Sequence, residues 1–226
     1  MSYLRSMKHL ALFCTLCACL ALSCGPKQET LKTGDLIFVG IPADYSLDDS
    51  SMDGAIAAAT GAPDSLNLIH VAIAEVDAEG RPWIIDATIK YGVDRHPLDT
   101  FLTQFTLKDG SLPVFEVKRL KEEKLAATGV ERAKVFLGSS YDVAFLPDNG
   151  ALYCSELVQV SYLTDDGSRI FPSAPMNFKN ADGEFPLYWQ QLFALIDQPI
   201  PQDVPGTNPQ TMARDPRLRA VNVALY

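Results

Sequence analysis

Cysteine is scarce in this chain. Cys14, Cys17, Cys19 and Cys24 all fall within the first 24 residues, which leaves Cys154 alone in everything that follows. A lone thiol excludes a disulfide-stapled scaffold, and in an exported protein such a thiol is either reactive or buried. Histidine is scarce too, with three copies at positions 9, 70 and 96. His70 and Cys154 alone are too few for a closed zinc site, so no metal or organic cofactor is expected. A phosphate-binding glycine loop is missing: "GDLIFVG" has the glycines, but no helix and no Lys-Ser/Thr pair follows. Repeats, low-complexity blocks and long runs of like charge are absent as well. The 226 residues, 47% apolar and 21% charged, suit one globular domain or two small ones.

The one long apolar run lies at the start. In "MSYLRSMKHLALFCTLCACLALSCGPKQET", Arg5 and Lys8 form a basic head, and the apolar stretch from Leu10 to Leu22 is short for a membrane span. It reads as a bacterial secretory signal. "LALSC" resembles a lipobox, with Ala21 and Leu22 in the reverse of the commonest order, and it predicts lipidation of Cys24. "LCAC", ending at Cys19, is a competing site, and a signal cleaved without lipid is the other reading. The expected division is a signal over residues 1–23, a lipidated N-terminus and tether over 24–32, and one domain over 33–226. Such a protein would sit in the bacterial envelope, anchored to a membrane, facing the periplasm or the cell surface. Removing Arg5 and Lys8 leaves 17 basic against 28 acidic residues, a net charge of −11. That balance gives no electrostatic reason to bind nucleic acid or anionic headgroups.

Along the domain, "GDLIFVGI" reads as a buried strand. A short helix follows, starting near Ser50 or Asp53 and ending at Gly61-Ala62-Pro63. Residues 68–76 and 81–89 predict two strands joined through "DAEG", and 113–120 alternates as another. "KEEKLAATGVERAKVFLG" is helical up to Gly138, and "YCSELVQVSYL" is the next helix. The Pro-rich tail from Phe171 holds one short helix at "PLYWQQLFALI". Strands first and helices later argue an α+β domain, with the tail wrapped around it.

Cys154 would open its helix, where exposed N–H groups and the helix dipole favour a thiolate and could hold an oxyanion. Its alternative is buried filler, since free cysteine is among the most buried residues. A nucleophilic cysteine needs a base. His70 starts an apolar strand beside Ala72 and Ala74, which leave room for another group; a satisfied core histidine is the competing reading. His96, in the polar "VDRHPLD", reads as a surface residue. If Gly80 takes the left-handed position of a three-residue hairpin loop, Asp77 pairs with Arg81. His70 then opposes Thr88, and Asp86 lies diagonally beside His70 on the same face. A carboxylate inside "WIIDAT" needs a partner, unless it sits at the rim facing water.

"TGDLIF", "HVAIAEV", "IIDAT", "YDVAF" and "LYCSELV", with the tail "PLYWQQLFALIDQPIPQDVPGTNPQTMARDP", resemble the permuted papain-like group of the NlpC/P60 superfamily, in its YiiX/YaeF-like branch. The resemblance spans most of residues 33–217. It implies a circularly permuted papain-like fold, an antiparallel sheet or small barrel packed on helices, with the catalytic cysteine at a helix N-terminus. It also implies Cys154 as nucleophile, His70 as base and Asp86 as the residue that orients His70, where relatives usually carry Glu. Tyr141 matches a tyrosine near the active-site cysteine, a positioning or oxyanion role that competes with a core role. The implied function is a cysteine amidase or peptidase-like hydrolase acting on an amide-containing small substrate, a cell-wall peptide or an N-acyl amide. The alternatives are a lipid-directed acyltransferase or hydrolase using the same residues, and a non-catalytic envelope binding module.

Overall fold

The structure is a computed structural model that describes residues 27–48, 50–61 and 66–226. The signal segment, Cys24 and the expected helix end at Ala62-Pro63 lie outside the described residues. Six strands form one sheet in the order β4-β3-β2-β1-β5-β8. They are β1 (Leu36–Ile41), β2 (Asn67–Val76), β3 (Pro82–Thr88), β4 (Gly92–Pro97), β5 (Val114–Leu120) and β8 (Leu218–Val221), and every neighbouring pair is antiparallel. Helices α1 (Met52–Thr60), α2 (Leu98–Gln104), α3 (Glu123–Val135), α4 (Cys154–Ser161), α5 (Leu187–Leu195) and the short α6 (Pro209–Met212) surround it. A two-stranded ribbon, β6 (Ala174–Pro175) with β7 (Pro205–Gly206), closes the tail. The α+β expectation and the antiparallel sheet packed on helices both hold.

Both faces of the sheet are buried, by alternation along each strand. Leu36, Phe38, Val71, Ile73, Ile85 and Ala87 face α3 and α4. Ile37, Val39, Ala72, Ala74 and Ile84 form the opposite layer with Phe101 of α2. Burial on both sides explains the near-continuous apolar runs that marked β1 and β2. Aromatic residues from the tail, Phe178, Trp189 and Phe193, join Phe145 and Tyr153 in a third cluster.

Several elements escaped the sequence reading, β4, α2 and β8 among them. β4 carries "GVDRHP", whose Asp, Arg and Pro hide a strand of which Val93 and His96 are buried. His96 is therefore not on a surface loop. Helix α2 starts directly after Pro97 without a side-chain cap, so it lacked a start signal. β8 is four residues long and pairs with β5 from the far end of the chain, which local periodicity does not report. Helix α1 is capped by Ser51, whose hydroxyl accepts from Gly54 N–H, between the two starts expected.

The hairpin between β2 and β3 has the expected register. Gly80 is left-handed at φ +81°, a conformation that favours glycine. Asp77 N–H donates to Arg81 C=O at 3.0 Å, and Val76 pairs with Pro82, Ala74 with Ile84 and Ile73 with Ile85. Helices α3 and α4 approach closely because Gly129 has no Cβ; one built there would meet the Tyr162 ring at 3.0 Å.

A buried ion pair ties the N-terminal segment to the sheet. Arg119 on β5 donates Nε to Asp35 Oδ1 at 2.6 Å and Nη2 to Asp35 Oδ2 at 2.7 Å. Its remaining donors reach Glu29 Oε2 and the Thr30 carbonyl. Truncating one partner of such a pair leaves a buried charge alone, which typically costs about 3–5 kcal/mol. Asp35→Ala is therefore expected to lower the unfolding free energy by about that amount in urea titrations. An unchanged midpoint would show that the pair carries no net stability.

Candidate active site

The chain delivers Cys154 to the sheet through a closed loop. Leu152 N–H donates to Ser140 C=O, and the Asp142 carboxylate gathers the N–H groups of Ala144 and Leu146 and the Asn149 amide. Tyr153, the residue before the helix, offers no side-chain cap to the first turn of α4. The backbone N–H of Tyr153 lies near Glu156, third in the helix, and favours its charged form. Burial, then the nearby Asp142 charge, push the Glu156 pKa up to about 7. From the tail, Thr207 accepts from the Ser155 hydroxyl and donates its N–H to the Tyr153 hydroxyl, so residues 205–209 clamp the helix start. α4 packs on α3, β2 and β3, and Cys154 is buried, 6% exposed.

Opposite it, β2 presents His70 and β3 presents Asp86. Asp86 is 1% exposed, and its Oδ2 lies 2.8 Å from His70 Nε2. The Cys154 sulfur lies near enough to the same imidazole to favour its charged form; with Nε2 taken by the carboxylate, Nδ1 is the nitrogen left for it. The ring is walled by Phe105 at 4.8 Å and Phe101 at 6.2 Å, both supplied by α2 and its end. Burial alone would lower the His70 pKa. The neighbouring Cys154 sulfur and the hydrogen-bonded Asp86 carboxylate outweigh it and raise the pKa to about 10. The site is thus arranged to favour an imidazolium at His70.

A narrow cleft of about 40 Å³ opens at Cys154, lined by Tyr141, Phe145, Met176 and Trp189 among others. Tyr141 stands edge-on to Phe145 at 6.3 Å. Burial first, then the charge at Cys154, hold its phenol well above the usual range, so it is present as a neutral hydroxyl. Ile69 separates this cleft from a wider groove of about 330 Å³ that includes Asp53 and Phe105. Of the residues singled out from sequence, Cys154, His70, Asp86 and Tyr141 meet at one place, and Cys24 lies outside the described residues. Sequence reading missed His96, whose Nε2 is 3.8 Å from Asp86 Oδ1. The signal was available only through β4: once that strand pairs Ile84 with His96, the ring falls on the Asp86 face.

A thiol at the start of a buried helix, set against a strand histidine and a carboxylate on the next strand, defines a papain-like protein. Here the histidine strand precedes the cysteine helix in chain order. Residues 30–222 match the family described as permuted papain-like amidase enzyme, YaeF/YiiX, C92 family, and the chain belongs to that family. It is accordingly a hydrolase of the papain-like cysteine amidase and peptidase kind. Among solved structures, it resembles the crystal structure of metalloprotein yiiX from Escherichia coli O157:H7, with 24% identity and a TM-score of 0.63. That match covers 85% of this chain and 97% of the other, and it bears on the fold alone. No curated protein matches the chain.

The raised His70 pKa has a defined pH signature. A folded-state value near 10 against about 6.5 in the unfolded chain stabilises the fold fully below pH ~6.5, and this contribution fades as pH rises through about 10. His70 ring resonances are expected to stay in the protonated position at neutral pH in NMR titrations. Cys154→Ala should move the His70 midpoint downward, because the sulfur that helps to raise it is gone. A wild-type midpoint near the ordinary ~6.5 would contradict this electrostatic account.

Proposed function

We propose that this chain is an exported thiol hydrolase that cleaves an amide through a Cys154 thioester. The observation that carries the reading is one imidazole held between the cysteine at the start of α4 and a buried carboxylate. In the reaction, Cys154 Sγ attacks the amide carbonyl carbon, and the oxyanion develops beside the uncapped N–H groups at the start of α4. His70 passes its proton to the amine nitrogen as the C–N bond breaks, leaving a thioester. Water then attacks the thioester, His70 takes its proton, and the acid departs with the thiolate restored. Asp86 keeps the imidazole in register and favours its charged form. Tyr141, a neutral hydroxyl beside the sulfur, serves as a positioning or oxyanion donor.

The solved relative is titled a metalloprotein. Among the described residues here, no group of three or more His, Cys, Asp or Glu side chains stands where it could hold a metal ion, so no step is routed through one. The substrate is an amide-containing small molecule, a cell-wall peptide or an N-acyl amide. A second reading, acyl transfer by the same residues, draws support from the apolar lining of the cleft at Cys154, which suits an acyl chain. A binding module has no use for the charged pair.

An electrophilic acyl probe tests the chemistry. Labelling of wild type at Cys154 and its loss in Cys154→Ala are expected, with release of the label by water separating hydrolase from acyltransferase. Asp86→Asn should lower turnover by at least about 100-fold while changing substrate binding little, and Asp86→Glu should be tolerated better. Absence of any acyl-enzyme in wild type would favour the binding module.

The basic head, the apolar run and "LALSC" support anchoring through lipid on Cys24 in a bacterial envelope. Cys24→Ser should release the protein from membranes or stall its processing. Unchanged membrane association with normal N-terminal processing would remove the lipid from this reading.

A further inference from the structure

We propose that His96 is a positioning residue of the same site: its Nε2–H donates to Asp86 Oδ1 and holds the carboxylate so that Oδ2 faces His70. The inference rests on the Cys154–His70–Asp86 reading and extends it by one residue. Asp86 presents two oxygens to the protein interior. Oδ2 is bonded to His70, whereas Oδ1 is buried with no hydrogen-bond partner. His96 Nε2 is likewise buried and unpartnered, and the two atoms are 3.8 Å apart. Two orphaned polar atoms facing each other in an apolar layer are each other's natural partner, since a buried polar group left unpaired is costly. A movement of about one ångström closes the gap to hydrogen-bond distance.

The surroundings favour this arrangement over simple packing. β3 pairs Ile84 with His96 and Asp86 with Asp94, which sets Asp86 and His96 on one face as diagonal neighbours. His96 is 8% exposed, and Phe101 stacks on its ring at 6.3 Å and 23°. The same Phe101 lies 6.2 Å from His70, so one aromatic side chain fixes both imidazoles around one carboxylate. The other ring nitrogen, Nδ1, lies 3.7 Å from Asp94 Oδ2, a half-exposed carboxylate. An acidic oxygen thus stands near each nitrogen, so the N–H of either tautomer faces an acceptor.

The experiment is the pH profile of Cys154 alkylation by iodoacetamide in the full chain, read at the Cys154 peptide by mass spectrometry, so the other cysteines do not interfere. Wild type, His70→Ala, Asp86→Asn, His96→Leu and His96→Gln are compared, with circular dichroism confirming the fold of each. His96→Leu keeps the apolar volume and loses the donor; its profile is expected to move up by about one pH unit, a tenfold slower reaction on the acid side. His96→Gln retains an N–H donor and should recover most of the wild-type profile, which a packing role would not predict. Should His96→Leu fail to fold, His96→Met takes its place as the variant without an N–H donor. A His96→Leu profile equal to wild type while Asp86→Asn shifts would overturn the role of His96 and leave the triad reading intact. Equal impairment of His96→Leu and His96→Gln would also overturn it. A wild-type profile like that of an ordinary thiol, unmoved by His70→Ala or Asp86→Asn, would overturn the triad reading and this inference with it.

Discussion

A carboxylate buried within an apolar sheet is tolerated only when something compensates its lost hydration, and Asp86 sets that condition for the whole site. Its partner is His70 on the neighbouring strand, at 2.8 Å. The bond exists only in one hairpin register, because a slip of one residue would turn Asp86 to the opposite face. The register is pinned at the turn. Gly80 adopts the left-handed conformation there, and Asp77 collects the N–H groups of Glu79 and Arg81, the Arg81 guanidinium and the Trp83 indole. An exposed turn thus decides which residue meets the histidine further along the strands.

The cysteine arrives from a different part of the chain, and its placement depends on contacts of long sequence separation. The loop around Asp142 folds back on itself to start α4, and Thr207 holds Tyr153 and Ser155 from the tail. Gln210 accepts from Leu68 N–H two residues before His70, so the same tail braces the histidine strand. Segments that look like Pro-rich covering in sequence are therefore the clamps that hold the cysteine and histidine elements at a fixed spacing. Because these clamps are hydrogen bonds to backbone groups, the side-chain pattern carries little trace of them.

The electrostatics follow from that spacing. A histidine buried without partners would lose its proton more easily than in water. Here the sulfur on one side and the carboxylate on the other reverse the outcome. The neutral Tyr141 and the apolar walls of Phe101, Phe105 and Phe145 keep the surroundings of low polarity, where such interactions are strong.

The sequence by itself was enough for the class of the domain and for the residues that the fold brings together around Cys154. Apolar runs with β-formers marked β1 and β2, and the "DAEG" turn set the register that joins His70 to Asp86, because hairpin geometry is a local property of a few residues. The order of "HVAIAEV", "IIDAT" and "LYCSELV" carried the family. The short or polar elements were decided by tertiary structure alone. β4 is a strand because β3 offers it an edge, although "GVDRHP" has poor strand propensity; β8 and α2 likewise owe their existence to partners distant in sequence or to packing. His96 read as a surface residue for the same reason: its burial comes from pairing and from Phe101, neither of which a local pattern reports. Which loops clamp the cysteine, and which oxygen of Asp86 stays unpaired, are settled only when strands and helices from distant stretches of the chain are packed together.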